Sequence, residues 1–135
     1  MGAVLGSEPS GVGETGPKQA WEQLKVESDA VLVDVRTQPE WMFVGIPDLS
    51  TIGKDVALVE WRRYPDMQPD PDFAKRTLAA FDGKMPSKVF FICRSGARSM
   101  EAAQLVAAYA AAENLGPVEC VNVAEGFEGD KDAGG

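Results

Sequence analysis

The run Val89-Phe90-Phe91-Ile92-Cys93 constrains this chain more than any other segment. It is apolar at every position, so the strand it forms has no face suited to water. That pattern belongs to a sheet covered on both sides rather than to a half-exposed strand of alternating character. Directly after it come Arg94-Ser95-Gly96-Ala97-Arg98-Ser99 and an alanine-rich stretch, expected to be helical from about Met100 to Glu113. Asn114 and Gly116-Pro117 supply its stop. A buried strand, a short glycine loop and a helix in succession form part of a parallel α/β unit.

The rest of the chain fits that unit. Pro17–Glu27 places Ala20, Trp21 and Leu24 on one side and predicts a short amphipathic helix opened by Pro17. Val31–Val35 predicts a strand, Gln38–Trp41 a turn or short helix, and Val44–Asp48 a loop. Val56–Trp61 predicts a second strand near a sheet edge, since Glu60 and Arg62 close it. Tyr64–Pro71 holds Pro65, Pro69 and Pro71 and is expected to be a loop. Asp70 as N-cap, Pro71 in the first turn and Gly83 as stop frame a helix that turns Phe73, Leu78 and Phe81 inward. Val118–Val123 predicts a last strand. Strands alternate with helices and no hairpin signal is present, so the expected class is α/β, with a central, mostly parallel sheet and helices on both faces. The domain is expected over residues 17–128, after a flexible leader at 1–16 and before an acidic, glycine-rich tail at 129–135.

Composition narrows the chemistry. The 135 residues suffice for one domain, and 44% hydrophobic content supports a core. Thirteen basic against 21 acidic residues give a net charge of −8, which disfavours nucleic acid and anionic membrane surfaces as partners. No apolar run approaches the roughly 20 residues of a membrane span. Histidine is absent, which removes Ser-His-Asp and Cys-His catalysis and every histidine-containing metal site. The two cysteines, Cys93 and Cys120, cannot form a four-cysteine zinc site and do not suggest a disulfide framework. No metal or cofactor is expected. The N-terminus lacks the basic start and apolar run of a signal peptide, so a reducing, cytoplasmic setting is expected.

Cys93 is the candidate nucleophile. It lies where a buried strand meets a helix start, and ligands of open α/β sheets bind beyond the carboxyl ends of strands. A helix start offers unpaired backbone N–H groups and a partial positive charge. A loop containing Gly96 can turn successive N–H groups inward as an anion nest. Together with the guanidinium groups of Arg94 and Arg98, these features favour a thiolate without any general base. Cys120, inside Val118–Val123, reads as a core residue. Trp21, Trp41, Trp61 and Phe127 read as core or rim packing.

The Cys93–Ser99 loop, with Leu32-Val33-Asp34-Val35-Arg36, Glu40-Trp41 and Asn122-Val123-Ala124-Glu125-Gly126-Phe127, resembles the rhodanese (sulfurtransferase) family over roughly residues 17–128. The resemblance implies a rhodanese-like α/β fold and ping-pong sulfur transfer through a Cys93 persulfide. It implies that Arg94, Ser95, Gly96, Ala97, Arg98 and Ser99 cradle the outer sulfur. Arg36 matches a pocket-lining position, and Arg36 and Arg98 are candidate anion-binding residues. Asp34 matches an acidic position with a supporting role, bonding to loop backbone. The implied partners are a small sulfur donor such as thiosulfate and a thiol or cyanide acceptor, or a protein sulfur acceptor. Four residues separate Cys93 from Arg98, where the family's phosphatase and arsenate reductase relatives carry one more. That favours sulfur transfer over phosphatase chemistry. A persulfide carrier or sensory binding module with little turnover is the alternative. The family's Gly-His-Ile-Pro-Gly-Ala segment corresponds here to Val44-Gly45-Ile46-Pro47-Asp48-Leu49, without the histidine.

Overall fold

Strand β6 (Lys88–Ile92) lies in the middle of a five-stranded sheet, as its uniform apolar character requires. The computed structural model describes residues 12–125. The other strands are β1 (Val12–Thr15), β2 (Ala30–Asp34), β3 (Ala57–Leu58) and β7 (Glu119–Val123). Their order is β1-β7-β6-β2-β3 and every pairing is parallel. The helices are α1 (Pro17–Val26), α2 (Gln38–Phe43), α3 (Phe73–Ala80) and α4 (Ala97–Ala112), with a 3-10 turn at Ser50–Ile52.

Both faces of the sheet are covered, and the two-residue period of a strand sorts the side chains between them. Val89, Phe91 and Cys93 project with Val33 and Cys120 into a core shared with Phe73 of α3 and Ala102, Ala103 and Val106 of α4. Phe90, Ile92, Leu32, Val121 and Val123 project the other way, against Ala20 and Leu24 of α1 and Leu49. Small residues along α4 let it sit close to β6 and β7. Its start at Ala97, three residues before the expected Met100, places the whole Cys93 loop against its first turn.

Several expectations are corrected. The leader is not flexible throughout: Val12–Thr15 pairs with Cys120–Val123 as edge strand β1, and Val12 is fully buried. Backbone hydrogen bonds to an open sheet edge and one buried valine hold a segment whose glycines and polar residues carry little strand signal. The sheet domain therefore starts before residue 17. The second predicted strand shrinks to Ala57–Leu58, at the sheet edge as expected. The expected loop at Tyr64–Pro71 contains part of a hairpin, with β4 (Arg62–Arg63) antiparallel to β5 (Gln68–Pro69). The proline in β5 is tolerated because this two-stranded ribbon is all edge. Asp70 is not the N-cap of α3; Asp72 is, and neither Asp70 nor Pro71 belongs to the helix. Buried Asp70 instead accepts from the Asp72 amide at 2.9 Å and pairs with Arg63 and Arg76. Phe73 is buried as expected, but Leu78 and Phe81 are only half-buried, and Thr77 takes the inner position. The tail at 129–135, Phe127 and the leader up to Gly11 lie outside the described residues.

Candidate active site

Cys93 follows β6 at the carboxyl edge of the sheet and is 1% exposed. Three groups of the next six residues face its sulfur. The Gly96 amide lies 3.1 Å from Sγ, the Ser99 amide 3.3 Å and the Ser99 hydroxyl 3.3 Å. The amides are free to point there because they open α4, where no earlier carbonyl is available to receive them. Negative charge on sulfur is thus met by backbone donors that need no reorganisation.

Gly96 makes this turn sterically allowed. Its φ of +103° is a conformation that L side chains rarely adopt, and an added Cβ would sit 3.2 Å from the Glu125 amide nitrogen. The loop is therefore pressed against the chain leaving β7. Arg94, Ser95 and Ala97 are exposed on its outer side, and Ser99 is fully buried beneath it.

The two candidate anion-binding arginines are placed differently from the expectation. Arg98 forms a two-pronged pair with Glu40 of α2, Nη1 to Oε1 at 2.8 Å and Nη2 to Oε2 at 2.9 Å. Its guanidinium is raised above the ordinary arginine value by Glu40 first, with Cys93 and Asp34 adding smaller attractions. Arg98 thus lends its field to the sulfur while its hydrogen bonds lock the loop helix to α2. Arg36 is 1% exposed and is held by Asp34, through Nε at 3.0 Å and Nη2 at 2.7 Å, with a further bond from Nη2 to the Gly45 carbonyl at 2.6 Å. These bonds tie the end of β2 to the 44–48 loop. Asp34 accepts from the Arg36 side chain and amide rather than from the Cys93 loop backbone. An acidic residue two places from an arginine finds that partner first, and burial then makes separating the pair costly.

Three residues bonded to the loop or to its partners were not foreseen in these roles. Glu40 accepts from the Thr37 amide at 3.0 Å and hydroxyl at 2.9 Å as well as from Arg98. Those partners, Arg98 foremost, hold its carboxyl down to about 2. The Thr37-x-x-Glu40 spacing of a capping box was the signal for its local role. Asn122 accepts from Ser99 at 2.5 Å and donates to Glu14 at 2.9 Å. A lone amide in an otherwise apolar strand was its signal; Glu14, within the supposed leader, had none. Cys120 is a core residue, its thiol pushed up to about 12 by burial, and both cysteines are free. Among the described residues no His/Cys/Asp/Glu cluster could hold a metal, and no helix is long and apolar enough to cross a membrane. An apolar cavity of about 190 Å³ between α1 and the 47–49 loop lies on the α1 side of the sheet, away from the Cys93 side chain.

The match to the Rhodanese-like domain model spans residues 16–133. The chain belongs to the rhodanese-like family. The rhodanese-like domain is 38% identical over 112 residues to an uncharacterised protein, RP600, of Rickettsia prowazekii, covering 83% of this chain and 80% of that one. The crystal structure of Rv0390 from M. tuberculosis is 44% identical, with a TM-score of 0.69 over 92% of this chain and 86% of the other. The solution structure of the 30 kDa polysulfide-sulfur transferase homodimer from Wolinella succinogenes shares the fold at 20% identity, with a TM-score of 0.60 over 93% and 77% of the two chains. The expected rhodanese-like α/β fold is the fold observed.

Proposed function

We propose that this rhodanese-like domain is a sulfurtransferase that carries sulfane sulfur on Cys93. The observation that supports it best is the pair of backbone amides, of Gly96 and Ser99, that lie within 3.3 Å of one buried Sγ. In the first half-reaction the Cys93 thiolate attacks the outer sulfur of thiosulfate. A sulfur–sulfur bond forms, the bond to the sulfonyl sulfur breaks, and sulfite leaves with the electron pair. In the second, cyanide or an acceptor thiolate attacks the outer sulfur of the persulfide and returns the Cys93 thiolate. The Arg94–Ser99 loop cradles the persulfide. The Glu40–Arg98 clamp and the Asp34–Arg36 pair keep the loop, α2 and the end of β2 in place.

The four-residue spacing between Cys93 and Arg98 makes a small ring, which suits a sulfur atom better than a tetrahedral phosphate. The chemistry requires a reduced nucleophile, in keeping with a cytoplasmic setting. A thiol-bearing small molecule or protein would serve as acceptor. Intact-protein mass after thiosulfate, and again after cyanide, tests the reading. Wild type should gain one sulfur atom and lose it to cyanide, while Cys93→Ser keeps its fold and gains nothing. Sulfur loading that persists in Cys93→Ser would overturn the assignment.

A further inference from the structure

The Ser99 hydroxyl has one proton and two neighbours able to take it. Its Oγ is 2.5 Å from Asn122 Oδ1 and 3.3 Å from Cys93 Sγ. Asn122 Nδ2 in turn lies 2.9 Å from Glu14 Oε2. Cys93, Ser99 and Asn122 are at most 1% exposed, whereas Glu14 is a surface residue. A polar chain therefore runs from the nucleophile through α4 and β7 to a carboxylate on edge strand β1.

The direction of each bond follows from what each group can do. A carboxylate only accepts, so Glu14 turns the amide NH2 of Asn122 toward itself and the amide oxygen toward Ser99. That oxygen also only accepts, so Ser99 donates to it. The hydroxyl then meets the sulfur with a lone pair. It can receive the S–H of a Cys93 thiol, but it offers nothing to a thiolate or persulfide until its proton swings away from Asn122. The Gly96 and Ser99 amides, which only donate, act in the opposite sense.

We infer that Glu14 is a positioning residue which, through Asn122, orients the Ser99 hydroxyl and restrains ionisation of Cys93. The inference rests on Cys93 being the reacting sulfur and is independent of donor and acceptor identity. The other charged groups about the loop are Arg94 and Arg98 within it, Glu40 of α2, the Asp34–Arg36 pair at the end of β2 and Glu125 after β7. All of them stay constant in the comparison that follows.

The test is the rate of Cys93 alkylation by iodoacetamide against pH, read by intact mass on the full chain. Glutamine at position 14 keeps the shape of glutamate but donates as well as accepts, so the Asn122 amide can turn over and Ser99 can donate to sulfur. In Glu14→Gln the midpoint of the profile should fall by about one pH unit, the worth of one hydrogen bond to a charged partner. In a Ser99→Ala background the same substitution should leave the midpoint unchanged. Asn122→Leu, which also cuts the chain, provides a second background with the same expectation. An equal shift in all backgrounds would mean that Glu14 acts only as a distant negative charge, and would overturn the inference. So would the absence of a shift in Glu14→Gln alone. Alkylation needs no sulfur donor, so failure of wild type to load sulfur would refute the proposed function without deciding this question.

Discussion

Replacing Gly96 by alanine separates the two duties of that residue. The first is conformational: φ is +103° and ψ is −12°, where a Cβ costs about 1–3 kcal/mol. The second is spatial. The new Cβ would lie 3.2 Å from the Glu125 nitrogen and 3.6 Å from both the Ala124 Cα and the Val123 oxygen, so loop or strand exit must move by a few tenths of an ångström. Gly83 provides the control, because its φ is +78° and nothing lies within 4 Å of an added Cβ. Both variants carry a conformational cost, but only Gly96→Ala displaces the amide that faces sulfur at 3.1 Å. Loss of one hydrogen bond to a charged sulfur, about 1.5–3 kcal/mol, corresponds to roughly a 10- to 100-fold slower persulfide formation. The assay pairs a urea melt with the rate of sulfur loading from thiosulfate, read by mass. Gly83→Ala should lose stability and keep its loading rate, whereas Gly96→Ala should lose both. Normal loading by a folded Gly96→Ala protein would refute the claim that the loop amides act on the sulfur.

Two further outcomes are expected. The Glu40 carboxyl is held at about 2 against an ordinary 4.5, chiefly by Arg98. A depressed carboxylate contributes stability that is fully present above the unfolded value and is lost as pH falls through the folded one. Glu40 should therefore contribute up to about 3 kcal/mol at neutral pH, disappearing between pH 4.5 and about 2. Glu40→Gln should lower neutral-pH stability and flatten that part of the acid limb, and denaturant melts that match wild type throughout would refute it. Val12→Asp should cost at least about 2 kcal/mol in a thermal melt, since it buries a charge beside Cys120 in the core. A melt unchanged from wild type would restore the flexible-leader reading.

Much of the site was legible because its parts are contiguous. Cys93 through Ser99 carry the candidate nucleophile, the glycine and the helix start on seven successive residues, and local backbone geometry alone brings the Gly96 and Ser99 amides to the sulfur. Asp34 and Arg36 were also visible, but not their mutual engagement. An arginine near a candidate anion site suggests ligand binding, and only the fold shows the carboxylate with which it is paired. The partner of Arg98 was not visible either, since Glu40 lies 58 positions away and meets it only in the folded chain.

The sequence by itself determined the architecture. A strand apolar at every position demands cover on both faces, and alternation with helices makes that sheet parallel. It also determined that any nucleophilic chemistry would run without histidine. Tertiary structure decided what surrounds the sulfur. β1 forms only because β7 offers an unpaired edge, and that pairing brings Glu14 to Asn122, while the packing of α4 on β7 brings Asn122 to Ser99. Hydrogen bonds between strands distant in sequence leave no periodic trace, because their partners need only the right donor or acceptor at the right register, a condition that no local pattern encodes.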